Sequence, residues 1–75
     1  MQKIQEAFKA AFNVEPKTIT IDTVPADVPG WDSMGHVALA AALESIFSLS
    51  LDIDEVMEME NVREIVRIIG GKVAS

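Results

Sequence analysis

The run Gly30-Trp31-Asp32-Ser33-Met34-Gly35-His36-Val37-Ala38-Leu39-Ala40-Ala41-Ala42-Leu43-Glu44-Ser45-Ile46-Phe47 reads as a helix opening directly after a proline- and glycine-rich connection. Leu39, Leu43 and Phe47, with Ile46 beside them, recur at three- and four-residue spacing, and alanine fills much of the remainder. That pattern predicts a helix over 33–49 with one core-facing stripe. Ser33 falls at its start, as N-cap or first-turn residue.

Working outward, Ile4, Phe8 and Phe12, flanked by Ala7 and Ala11, mark a first helix over 2–13. Pro16 ends it at or before Glu15, because the residue ahead of a proline is pushed out of the α region. Residues 14–32 hold all three prolines and form a long connection. Thr18 to Asp22 alternates like a strand but has no partner run, so Ile19 and Ile21 are read as apolar pins on a loop. On the other side, Asp52 opens a short helix through about Glu58, with Glu55 placed as in a capping box. Asn61 and Glu64 repeat that spacing before a last helix. Its stripe is Val62, Ile65, Val66, Ile69 and Val73, which Gly70-Gly71 is expected to interrupt or end. The fold expected is all-α, a four-helix bundle with a short third helix and a long first loop, as one domain over 1–75.

Composition narrows the function. A chain of 75 residues and 8.1 kDa buries only about 60% of its unfolded surface, too little to wall an active-site cleft. With 49% hydrophobic and 24% charged residues it is a folding composition, not a disordered one. It has no cysteine and one histidine, so neither a disulfide framework nor a thiolate metal site is available. No metal site and no catalytic residues are expected. The net charge of −6 is the wrong sign for gripping phosphates, so nucleic acid is not an expected partner. The N-terminus has no apolar signal core, and the longest apolar run, Val37 to Leu43, is far short of a membrane span. A cytoplasmic monomer is expected. All six bases lie in 3–17 and 63–72, whereas 18–62 carries nine acids. That segregation serves solubility, or it presents a negative central region to basic surfaces of partners.

Ser33 admits several readings. A helix-start serine is commonly a cap, worth about 1 kcal/mol. A hydrolase elbow needs glycine two before the serine, whereas here the glycines are Gly30 and Gly35. Asp32, Ser33 and His36 are triad residue types, but they crowd one helical turn and cannot converge as a triad must. Covalent attachment is another option beside the cap, since a helix N-terminus offers free amides and a positive dipole end to a phosphodiester. His36 is otherwise read as a half-exposed helix residue.

Asp32-Ser33-Met34, at the head of the second of four helices in an acidic chain of this length, resembles the Asp-Ser-Leu motif of acyl carrier proteins. The longer Gly30-to-Val37 run looks like the version in stand-alone carriers of secondary metabolism and specialised lipid pathways. The resemblance spans essentially the whole chain. It implies that Ser33 carries a 4′-phosphopantetheine arm holding acyl intermediates as thioesters. It further implies that Asp32 assists the phosphopantetheinyl transferase, which uses coenzyme A, and that Met34 is an exposed contact for it. Glu44, Asp54 and Glu55, with Val37 and Val56, would face acyl-activating ligases, synthases or transferases with basic docking surfaces. Gly35, Ala38 and Ser45 stand where many fatty-acid-synthase carriers have acids, which implies a dedicated partner set. The protein would be a carrier and not an enzyme.

The alternatives are an aminoacyl or peptidyl carrier loaded by an adenylating ligase, and a small helical interaction module in which Ser33 only caps. As for cargo, Ala38, Ala40, Ala41 and Ala42 are small, and Ile53, Val56, Met57 and Met59 supply an adaptable opposite wall. The alanines either let helices pack closely or leave room for an acyl chain between the second and third helices.

Overall fold

The computed structural model describes residues 1–74, with side chains through Val73. Its helices are α1 (Gln2–Phe12), α2 (Ser33–Phe47), α3 (Ile53–Glu58) and α4 (Val62–Ala74). Short 3-10 turns at Pro16–Thr18 and Pro25–Asp27 punctuate the long first connection. The expected all-α bundle with a short third helix is what is observed. No strand occurs among the described residues, so Thr18 to Asp22 is loop as anticipated.

The core gathers Ile4, Ala7 and Phe8 of α1, Leu39 and Leu43 of α2, and Val62, Ile65, Ile68 and Ile69 of α4. Burial of each large side chain stabilises the fold by about 1.5–3 kcal/mol. Helices α1 and α2 end alike, with Asn13 (φ 56°) and Ser48 (φ 53°) in the left-handed conformation. Each turns its N–H back onto the helix's last carbonyls. The second helix therefore stops at Phe47, two residues short of the expected end. A helix-length apolar pattern does not show such a cap, because Leu49 continues it.

The long connection is held by more than the two expected pins. Ile19 is buried, but Ile21 is only partly so; Val28 and Trp31 take its place in the core. Thr23 is the buried polar residue of the loop. Its hydroxyl accepts from the Thr20 amide at 2.8 Å, and its carbonyl accepts from Val62 N–H at 3.1 Å. The loop is thus bonded to the start of α4 by backbone, and Gln5 adds a side-chain bond to the Ile19 carbonyl at 2.9 Å.

Several sequence expectations are corrected. Gly70-Gly71 neither interrupts nor ends α4, which runs on to Ala74. Both glycines face open space, so they lower helix propensity without forcing a turn. Within α4, Ile68 is buried in the core whereas Val73 is exposed. On α2, Ala38 and Ala41 point to solvent, so they neither line a cavity nor bring helices together; Ala40 alone of the alanines is fully buried there.

Gly35 is the residue whose size matters most. A Cβ there would lie 1.9 Å from the Gly30 carbonyl oxygen and 2.7 Å from the Phe12 ring. The first turn of α2 therefore presses directly on the turn that delivers it. Gly30 itself, at φ 90°, uses backbone freedom that other residues lack. In urea unfolding, Gly35→Ala should destabilise the fold by about 3 kcal/mol or more, since backbone must shift. Gly70→Ala, at an open helical position, should stabilise it by about 0.5–1 kcal/mol. Equal effects at the two positions would refute the close contact.

Candidate functional site

The head of α2 is built by Trp31. Its indole is 7% exposed and lies edge-on to Phe8, with ring centroids 5.0 Å apart and planes at 77°. Phe12 completes the aromatic cluster on the α1 side. Such edge-to-face pairs add about 0.5–1.5 kcal/mol beyond their buried area. With Trp31 seated, the next residue begins the helix at a fixed place.

That next residue, and not Ser33, is the cap. Asp32 has extended backbone, and its carboxylate accepts from the Gly35 N–H at 2.9 Å. Ser33 is the first residue of the helix proper, exposed, and its hydroxyl hydrogen-bonds to nothing among the described residues. The cap reading of Ser33 is overturned because a carboxylate one residue earlier reaches the amide that its hydroxyl would have served. The Ser33 and Met34 amides, with no carbonyl one turn behind them, lie at the positive end of the helix dipole. Met34 is 85% exposed.

An open groove of about 440 Å³ starts at Ser33 and runs between α2 and α3. Trp31, His36 and Val37 form one wall, and Ile53, Val56, Met57 and Met59 the other. Asp32 and Glu60 are its charged members, and neither Lys nor Arg lines it. An exposed, unengaged hydroxyl, free amides behind it and an apolar trough beside it suit a phosphodiester-linked chain. The phosphate would rest on covalent attachment and helix-end amides, without a cationic side chain.

The remaining sequence-selected residues fall into two groups. Val37 and Asp54 are exposed, next to exposed Ile53 and Met57. Glu44, Glu55 and Val56 are partly buried and already bonded. The Glu44 carboxylate accepts from the Leu51 N–H at 2.8 Å, which ties the α2–α3 link to α2. Glu55 and Asp52 form the expected reciprocal capping box at 3.0 and 2.9 Å, and Lys72 of α4 pairs with Glu55 at 2.9 Å. The backbone amide of Asp52 and, next, the Lys72 ammonium hold the Glu55 carboxyl below the usual carboxylate range. Asn61 caps α4 by accepting from the Glu64 N–H at 2.9 Å. Glu64 does not return the bond; its carboxylate pairs with Arg67 at 2.6 Å.

His36 is half-exposed as expected, but it does more than fill a helix position. Its Nδ1 lies 2.8 Å from Trp31 Nε1, and its Nε2 lies 2.7 Å from the Val56 carbonyl. Both ring nitrogens are therefore committed elsewhere, and Asp32, Ser33 and His36 do not form a triad. The available signal is Trp31, since a buried indole N–H demands an acceptor and His36 follows five residues later, in the first turns of α2.

Two outcomes follow from this geometry. Asp32→Ala should lose about 1 kcal/mol of stability, whereas Ser33→Ala should stay within about 0.5 kcal/mol of wild type; the reverse order would restore Ser33 as the cap. Because folding lowers the Glu55 pKa, its contribution is present above the ordinary carboxylate range and is lost as pH falls through the lowered one. Glu55→Gln should therefore flatten the acid limb of a melting-temperature profile, and an unchanged limb would place that sensitivity on other acids.

A family model described as "phosphopantetheine attachment site" matches residues 2–69. The fold is similar to the solution structure of a holo acyl carrier protein from Geobacter metallireducens. The TM-score is 0.82 at 23% sequence identity, covering 99% of this chain and 88% of that one. At that identity the likeness is one of fold. Direct comparison with curated proteins gives no match.

Proposed function

The chain belongs to the phosphopantetheine-attachment family, and from that premise we propose that Ser33 is its attachment residue. The protein is a carrier with a covalently attached 4′-phosphopantetheine, similar in fold to acyl carrier protein. When bound, the arm supplies a terminal thiol that holds acyl cargo as a thioester. The observation carrying the assignment to Ser33 is that Asp32 does the capping, which leaves the neighbouring hydroxyl exposed and unspent at the groove's head. A serine needed for structure would make a poor acceptor, because modification would cost the helix its cap.

The cargo proposed is an acyl intermediate of a specialised lipid or secondary-metabolite pathway, carried by a cytoplasmic monomer that catalyses no reaction itself. Support comes from α2, where Gly35, Ala38 and Ser45 leave Glu44 as the helix's acid. Docking then depends less on charge along α2. Met34, Val37, Ile53 and Met57 offer an apolar contact face flanked by Asp54. Glu44, Glu55 and Val56 are further proposed contacts, Glu55 lying on the α4 side of α3 beside Lys72. Each is anchored by its own bonds, so Glu44 presents negative charge at a defined position to basic partner surfaces, whereas Lys72 offsets that of Glu55. Among the described residues, no helix is long and apolar enough to cross a membrane.

Co-expression with a phosphopantetheinyl transferase, in the presence of coenzyme A, should add the mass of one phosphopantetheine to the intact chain. Ser33→Ala should abolish that gain while keeping helicity, since Ser33 makes no structural bond. Mass gain that persists in Ser33→Ala moves the site to another residue, and no gain in wild type favours an interaction module. Intact mass of the loaded form from native cells separates acyl from aminoacyl cargo.

A further inference from the structure

Helix α3 has an unusual dependence on its neighbours. It is six residues long and buries none of them, and a helix of that length has no stability of its own in water. Its ties to the bundle are the Glu55–Lys72 pair at 2.9 Å, an exposed Glu58–Arg67 pair at 3.7 Å, buried Met59 just beyond it, and His36. The two ion pairs reach α4; His36 is what fastens α3 to α2, and it does so inside the groove that starts at Ser33.

The protonation state of that fastening follows from its partners. An indole N–H only donates, so Trp31 Nε1 donates and His36 Nδ1 accepts at 2.8 Å. The two ring planes are nearly parallel, 12° apart with centroids 6.2 Å apart, which is compatible with an in-plane lone pair on Nδ1. A neutral imidazole then carries its proton on Nε2, facing the Val56 carbonyl at 2.7 Å. One side chain thus joins the connection, α2 and α3 through a single tautomer.

We propose that His36, held as the neutral Nε2–H tautomer between Trp31 and the Val56 carbonyl, is a positioning residue that latches α3 to α2 and gives up its tie to Trp31 when protonated. The consequence for cargo rests on the carrier reading: the latch sets the shape of the groove beside the arm. A proton added at Nδ1 sets a donor against the Trp31 donor, so the Trp31 bond is lost while the Val56 bond can remain. The charged groups that share the groove of His36 are acidic, Asp32 and Glu60; Asp54, Glu55 and Glu58 of α3 line other clefts, with Arg67 and Lys72 of α4. Asp32 is occupied with the Gly35 amide, and Glu55 with Asp52 and Lys72. Asp27, in the turn behind Pro25, faces the Val24 amide.

The test uses the unmodified chain and nitrogen-detected NMR of the imidazole, so it does not depend on the mass measurement at Ser33. At neutral pH the Nε2–H tautomer is expected. Exchange of the Trp31 indole proton should be about tenfold slower than in His36→Leu, as expected for one buried hydrogen bond. On acidification the Trp31 indole and the Ile53, Val56 and Met57 amides should shift together with the imidazole. His36→Gln, whose amide can both accept and donate, should keep slow exchange but lose that shared titration. An Nδ1–H tautomer, or the same α3 titration in His36→Gln, would overturn the latch. If His36→Leu does not fold, the tautomer and the glutamine variant decide the question.

Discussion

The seating of Trp31 against Phe8 and Phe12 is the constraint from which the site follows. The ring enters the core from the connection, immediately ahead of the helix that bears the candidate attachment residue. A large aromatic ring packed edge-on has few alternative placements, so its packing fixes the chain direction at Asp32. The close contact of Gly35 with the Gly30 carbonyl then fixes how far α2 lies from the connection. Between these contacts the Asp32 cap has one place to go, and the Ser33 hydroxyl is directed outward. An exposed nucleophile at the mouth of a flexible loop would be poorly placed for a modifying enzyme. Here it stands on rigid packing.

The acids of the central region have distinct roles despite similar chemistry. Asp32, Glu44, Asp52 and Glu55 each accept a backbone amide at a helix start or link. Asp22 reaches across to Arg63 at 2.8 Å and pins the loop against α4 from outside. An exposed pair of this kind contributes at most about 1 kcal/mol, so its value lies in register more than in energy. The negative field is therefore produced largely by carboxylates that are locally held, which keeps its shape constant from molecule to molecule. A docking partner meets a surface whose charges are already in place.

Small size explains the reliance on polar ties. The short third helix contributes no buried residue, and the links around it carry Glu44 to Leu51, Asp52 with Glu55, Lys72 to Glu55, and His36 to Val56. A larger domain would hold such an element by apolar burial, worth more per residue than these contacts. The outcome is an α3 attached by a few directional bonds along the groove. That arrangement leaves α3 able to shift without unfolding the rest.

Periodicity, caps and composition determined a great deal by themselves. Apolar stripes at helical spacing identify the first, second and fourth helices, and the Asp52–Glu55 box locates the third, because these signals are local and survive without tertiary context. The Asp32-Ser33-Met34 run at a helix head points to Ser33 as the candidate attachment residue. Tertiary structure alone decided which of Asp32 and Ser33 capped the helix, since both side chains were chemically able to. It decided that Gly70-Gly71 continued a helix, because packing of Ile65, Ile68 and Ile69 outweighed the low propensity of glycine. It turned Ala38 and Ala41 outward and put Val28 and Trp31 where Ile21 was expected, since small shifts in helix phase and loop path are invisible to spacing. Above all it joined His36 to Val56, twenty residues along the chain. A hydrogen bond between distant residues depends on how two helices meet, and no local pattern encodes that.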